Sequence, residues 1–521
     1  MPKWLEDAVF YEIYPQSFLD ANGDGIGDFE GIIRKLDYIR DLGCNALWIN
    51  PCFDSPFKDA GYDVRDYKKT AARYGTNDDL KRLFAEAHKR NIRVLLDLVP
   101  GHTSEEHPWF LESKKAEPAE YRNRYIWSDS WIYWGNSTVR FIAGEADRNG
   151  VYVINFFKCQ PALNYGFLNP SEAWQLPTDH PDSLATREAL KDIMRFWLDS
   201  GCDGFRVDMA DSLVKYDDAD KSGASAVWRD IRAMLDAAYP EAALVSEWSR
   251  PDLSLKNGFH MDFLLDHEGG GYKSLVRNYS VSKEGTIGED TSYFRKDSRS
   301  DITRFLEQYM PWYENTKNDG FISLITGNHD TSRISRGLAS RELALFYGMI
   351  FTLPGVPFLY YGDEIGMKYL NVPTKEGGYT RTGSRTPMQW SGGRNLGFSQ
   401  APADKLYLPV DPSPDAPTVE AQEKDPESLL NTVKALLRLR RAQGDLQSKP
   451  NLEILYAQKG SRPAVYRRGS FVMGLNPSSE TARIPGLPVP DGGTGVFSIG
   501  KGSLDSGTFT LEPQSFVVWR V

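Results

Sequence analysis

Several things are scarce in this 521-residue sequence, and each shortage excludes something. Four cysteines occur, at 44, 52, 159 and 202, with neither a C-x-x-C pair nor a histidine-rich neighbourhood, which argues against a disulfide framework and against zinc. No apolar run reaches the ~18 residues of a membrane span. Basic residues are outnumbered, 61 against 71 acidic, and a net charge of −10 leaves no concentrated basic face for nucleic acid. The start MPKWLEDAVFYEIYP lacks the basic-then-apolar pattern of an export signal, so a cytoplasmic protein is expected. A neutral substrate suits this composition better than a polyanion.

What the chain does have is a repeat. Short apolar runs recur at Val9 to Tyr14, Ala46 to Asn50, Val94 to Val99, Phe205 to Ala210, Ala243 to Trp248, Phe263 to Asp266, Phe321 to Thr326 and Pro357 to Tyr361. Amphipathic stretches such as Asp78 to Arg90, Thr186 to Leu198 and Ser225 to Ala238 lie between them, which is the pattern of βα units. Eight units predict an α/β fold, a closed (β/α)8 TIM barrel. The repeat is interrupted after the third strand, and the expected division is a barrel over 1–102 and 174–446 with an inserted lobe over 103–173. A loop-rich insertion over 366–424 follows the eighth strand, and short strands with Gly/Pro turns over 447–521 predict a C-terminal all-β sandwich.

Reactive groups of such a barrel stand at the C-terminal ends of its strands. The segments GFRVDMA, LVSEWSR and ITGNHDTSR put Asp208, Glu247 and Asp330 there. The two-residue side-chain period places Arg206 on the same face as Asp208, a cation expected to keep that carboxylate ionised. An ionised nucleophile paired with a protonated acid is the requirement of glycoside cleavage with retention, and Glu247, flanked by Val245 and Trp248, fits the acid. His329 beside Asp330 suits contacts to sugar hydroxyls.

A separate loop, Asp20-Ala-Asn22-Gly-Asp24-Gly-Ile26-Gly-Asp28, sets oxygen donors at alternate positions, with Ile26 contributing through its backbone. That is the front half of an EF-hand-like loop, without the glutamate at the twelfth position, and predicts a structural Ca²⁺, or Mg²⁺, held by Asp20, Asn22, Asp24, Ile26 and Asp28. The bland alternative is an Asx-turn loop with no metal.

Taken together, GCNALWINP, DLVPGHTS, QPALN, GFRVDMAD, SEW, TGNHD and GVPFLYYGDEIG resemble the α-amylase family of glycoside hydrolases over nearly the whole chain. The loop DANGDGIGD and the run RTPMQW are most similar to its oligo-1,6-glucosidase, α-glucosidase, sucrose isomerase and trehalose synthase branch. The resemblance implies Asp208 as nucleophile, Glu247 as acid/base and Asp330 as transition-state stabiliser. It further implies that His102, Arg206 and His329 contact the reacting sugar, that Tyr62 stacks beneath it, and that Asp59 pairs with Arg385 at the blind end of the pocket. Gly101 stands where many amylases carry a calcium-ligating Asn, so a second calcium is not expected. Met209 follows the nucleophile where the branch has Val, or Thr or Ala, according to linkage. The function expected is a retaining exo-acting α-glucosidase on short oligosaccharide or disaccharide α-glucosides. The alternatives are a transferase or isomerase of trehalose synthase or sucrose isomerase type, an endo-acting amylase, and a non-catalytic partner chain that this sequence, keeping all three acids, fits poorly.

Overall fold

The computed structural model describes every residue except 129, 131–138, 283–285 and 491–492. Eight parallel strands form one sheet: β1 (Phe10–Ile13), β2 (Ala46–Ile49), β3 (Arg93–Leu98), β4 (Gly204–Val207), β5 (Ala243–Ser246), β6 (Met261–Leu264), β7 (Phe321–Leu324) and β8 (Phe358–Tyr360). Each pairs with its neighbour in chain order, and β8 returns to pair with β1. A bridge between Ile325 and Phe358 closes the barrel between β7 and β8. β1, β2, β4, β5, β6 and β8 are buried at every position, as strands covered on both faces must be.

Local chemistry explains the helix boundaries. α1 (Phe29–Leu42) starts on Asp28, whose carboxylate accepts the Gly31 amide, and α2 (Asn77–His88) starts on a reciprocal Thr76/Asp79 capping box. α3 (Pro181–Asp199) begins five residues before the expected Thr186, because His180 caps it and Pro181 occupies its first turn. α4 (Ser222–Ala238) follows β4, and α5 (Thr303–Thr316), α6 (Ser340–Ile350) and α7 (Leu429–Ala442) follow β6, β7 and β8. Gly204 opens β4 with φ of 140°, and a Cβ there would come 1.9 Å from the Ala243 carbonyl, so only glycine lets β4 and β5 approach this closely.

Between β3 and α3 the chain forms a small antiparallel sheet from Trp127–Ser128, Arg140–Ile142 and Val151–Ile154. After β8 it runs through short helical turns, Tyr379–Ser384 among them, before α7. Beyond α7, a five-stranded antiparallel sheet and a three-stranded one enclose a second core that includes Val472, Phe509 and Leu511. Two buried guanidiniums fasten the barrel base: Arg468, from the five-stranded sheet, donates to the carbonyls of Thr352, Gln447 and Lys449, and Arg440, from α7, to those of Phe351, Leu353 and Gly355. Among the described residues, no helix is long and apolar enough to cross a membrane.

Candidate active site

A cavity of about 180 Å³ opens at the C-terminal ends of the strands, lined by Asp59, Tyr62, His102, Phe156, Phe157, Asp208, Met209, Glu247, Asp330 and Arg381. Six of the nine catalytic and substrate residues singled out from sequence line it directly: Asp59, Tyr62, His102, Asp208, Glu247 and Asp330. The other three, Arg206, His329 and Arg385, lie behind its wall, each bonded to a lining residue.

Arg206 is the electrostatic centre. It points inward from β4 and meets Asp97 of β3 at 2.8 Å, Asp208 at 3.1 Å and Glu247 at 2.6 Å, with its face over the Trp48 ring. The expected neighbour of Asp208 is there, but Arg206 divides itself among three carboxylates and its shortest contact is to Glu247, so it serves Asp208 less than the expectation of an ionised carboxylate requires. The cause is register: Arg206 lies beside Asp97 on one side and Val245 on the other, so its fork reaches both neighbouring strands. Burial and the negative charge of Glu247 push the Asp208 carboxyl well above the usual range, Arg206 pulls against them, and Asp97 and Asp330 add to the push. A pair of this kind holds one proton more readily than none. Met209, left-handed at φ of 42°, turns its amide to Glu247 at 3.2 Å.

His329 is buried, with Nδ1 against Glu12 at 2.9 Å and Nε2 against the Tyr62 hydroxyl at 2.5 Å. The Tyr62 and His329 rings stack at 5.4 Å, and the Tyr62 hydroxyl also reaches Asp97 at 3.1 Å. Burial pushes the His329 imidazole well below its usual range, Asp330 opposes, and the arginines reinforce the fall. His102, tied to the Tyr62 carbonyl and to Asn155, is pushed down to about 4 by burial. Gly101 makes room here: a Cβ on it would meet the Asn155 amide at 2.8 Å, and Lys215 donates to Asn155 and to the Ser212 carbonyl.

Asp330 accepts from Arg381 and from Arg385, both at 2.9 Å. Burial works against its ionisation, but His329, Arg381, Arg385 and Arg206 hold its carboxyl well below the usual range. The blind end differs from expectation. Arg385 reaches Asp330 and the His329 carbonyl, and the cation beside Asp59 is Arg381, at 3.7 Å, with Gln160 donating to the other Asp59 oxygen at 2.7 Å. The reason is loop geometry: Arg381 lies in the turn Tyr379–Ser384 that passes over the cavity, while Arg385 follows it into the barrel and is buried. Asp97, Gln160, Phe156, Phe157 and Arg381 were not singled out from the sequence. Asp97 had a signal, an acid inside an otherwise apolar strand; the others stand in irregular segments whose course no periodicity announces.

In the loop Asp20–Asp28, Asp20 accepts the Gly23 and Gly25 amides and the Ser399 hydroxyl, Asn22 accepts the Asp24 amide, and Asp24 accepts that of Ile26. Asp28 caps α1 and accepts the amides of Ala21 and Asn22. These oxygens are the hard donors that a calcium ion prefers, and burial, with a smaller push from the Asp20 charge, raises the Asp28 carboxyl against those amides. As the side chains stand they clip the turn: among the described residues, no three His, Cys, Asp or Glu side chains converge as a metal-binding group.

Comparison with known proteins agrees with this architecture. The family "Alpha amylase, catalytic domain" matches residues 12–448. The chain is 32% identical over 487 residues to the trehalose synthase/amylase of Mycobacterium tuberculosis, covering 84% of this chain and 75% of that one. It is 31% identical to the oligo-1,6-glucosidase of Parageobacillus thermoglucosidasius, with 84% of each covered. A crystal structure of an isomaltulose synthase variant from Erwinia rhapontici with sucrose superposes with a TM-score of 0.78 at 25% identity, covering 100% of this chain and 99% of that one. With a closed barrel, a strand-end pocket lined by four carboxylates and a family match over most of its length, the chain belongs to the α-amylase family of glycoside hydrolases and is an α-glycoside-processing enzyme.

Proposed function

We propose that this enzyme is a retaining, exo-acting α-glucosidase on short α-glucosides. The observation that carries the reading is the small pocket, bounded at one end by Arg381. Its volume, about 180 Å³, is below the ~300 to 1,000 Å³ typical of sites for larger ligands, and suits one sugar ring. Arg381, bonded to Asp330 and close to Asp59, spans its far end, where an endo-acting amylase needs an open cleft.

In this reading the Asp208 carboxylate attacks the anomeric carbon while Glu247 gives its proton to the departing glycosidic oxygen. Glu247 then takes a proton from the water that releases glucose from Asp208, again with inversion, so the anomer is retained overall. One guanidinium bonded to both carboxylates keeps them close, which supports retention over the wider separation of inverting enzymes. Asp330, held ionised by its arginines, would bind ring hydroxyls and favour positive charge developing at the anomeric carbon. Ca²⁺ at Asp20, Asn22, Asp24, the Ile26 carbonyl and Asp28 would be structural and take no part in the chemistry.

A second reading, transfer or isomerisation, is favoured by the pocket rim. Phe157 of the inserted lobe stacks on Tyr379 of the loop after β8, ring centres 6.0 Å apart, a roof that would keep a released sugar beside the glucosyl-enzyme. Relatives named trehalose synthase and isomaltulose synthase point the same way. NMR of products from maltose, isomaltose, sucrose, trehalose and starch separates the readings. Free α-glucose from short substrates, with starch barely touched, supports the glucosidase; a new disaccharide in its place supports transfer, and rapid starch cleavage refutes both.

A further inference from the structure

The turn that carries Glu247 is held from behind by a carboxylate that the chemistry above does not use. β5 ends at Ser246, and Ser249, three residues on, takes φ of 59°. A left-handed serine keeps that conformation only where its surroundings hold it. In register with Ser246 on β6 stands Asp262, fully buried. A single oxygen, Oδ1, accepts the Ser246 hydroxyl at 2.6 Å and the Ser249 amide at 3.2 Å, so its two bonds fall on either side of Glu247. The Ser249 hydroxyl in turn accepts the Leu265 amide, just past the end of β6, at 3.1 Å.

Burial pushes the Asp262 carboxyl up to about 7 against the hydroxyls of Ser246 and Ser254 and the amides of Ser249 and Arg250. A buried acid surrounded by hydroxyls and amides is costly to keep, which argues for a task. The side chain of Glu247 is already aimed from the opposite side, by Arg206 at 2.6 Å and the Met209 amide at 3.2 Å. The Glu247 backbone is held on the β4 side, its amide donating to the Val207 carbonyl at 3.0 Å and its carbonyl accepting the Ala210 amide at 3.3 Å; Asp262 holds the flanking chain from the β6 side.

We propose that Asp262 is a positioning residue for Glu247: its Oδ1 pins the chain before and after the acid/base and so fixes where the proton is delivered. This rests on Glu247 being the acid/base. The test compares kcat/KM, which excludes the hydrolysis of the glucosyl-enzyme, for maltose, whose leaving group needs a proton, and for α-glucosyl fluoride, whose leaving group does not. Asp262→Ala should lose ~100-fold on maltose, the scale of a misplaced reacting group, and under ~10-fold on the fluoride. Asp262→Asn keeps one acceptor oxygen and should stay within ~5-fold of the parent on both. Equal losses on the two substrates, or none on either, overturn the proposal. Should Asp262→Ala fail to fold, Ser246→Ala removes one of the two bonds and must show the same bias, at ~5-fold, for the proposal to stand. Glu247→Gln, run in parallel, must show the bias more strongly; if it shows none, the acid/base reading fails whatever Asp262 does.

Discussion

Around Arg206 the count of charges decides the acid–base behaviour. Asp97, Asp208 and Glu247 all touch one guanidinium, so two negative charges remain in excess if every carboxyl ionises. A proton kept on one of these carboxyls relieves this, and the first step of double displacement needs it on the acid and not on the nucleophile. Asp208→Asn should cut kcat roughly ten-thousand-fold or more with an unchanged circular dichroism melt; near-parental activity would dismiss Asp208 as nucleophile. The negative charge of Glu247 raises Asp208, so Glu247→Gln removes that push and Asp208 ionises at lower pH. The acid limb of the glycosylation burst with 4-nitrophenyl α-glucoside should therefore move to lower pH, and a limb that stays in place would show the two acids to be uncoupled. Asp208 and Glu247 were legible in the sequence because each directly follows a strand, where period and position agree; Asp330 stands in a turn beyond the end of β7 at Leu324 and was marked by its motif, not by a strand period. The sharing of Arg206 was not legible, since one strand's alternation says nothing of which neighbouring strand a long side chain reaches.

At the scale of elements, strands and helices were legible wherever burial imposes a period, and loops were not. Thr186 to Leu198 marked the apolar face of α3, but a histidine cap and a proline start the helix at Pro181 without adding to that face. Arg381 and Arg385 lie four residues apart in one loop, and nothing in their neighbours announces which of them turns toward Asp59. The Asp20–Asp28 loop is the element on which the metal proposal is checked. With the carboxylates of Asp20 and Asp28 and the turn amides already in place, an ion binding only the folded state adds ~2.7 kcal/mol at a hundred times its Kd. Calcium should raise the melting temperature by a few degrees and EDTA reverse it, with little change in kcat at low temperature; identical melts with and without calcium would leave the loop as a plain turn.

Across the whole molecule, barrel and C-terminal sheets are joined by charge as well as by apolar contact. Arg468 supplies donors to three carbonyls and to Asn451, groups that would otherwise be buried without partners. Arg468→Met should lower stability by about 3 kcal/mol, read from the urea midpoint, and leave kcat unchanged at 25 °C, because the guanidinium lies at the barrel base, away from the pocket. A variant as stable as the parent would mean that the apolar contacts alone hold the two parts together.

The Phe157–Tyr379 stack joins two segments that are far apart in the chain and packed against different parts of the barrel. Tyr379 is 57% exposed, so the stack faces solvent, and the roof proposed above predicts that a sugar entering or leaving parts the two rings. Turnover then includes a mechanical step against the solvent: for a substrate whose chemistry is fast, kcat should fall as sucrose-free viscogens thicken the medium, and Tyr379→Ala should remove that dependence.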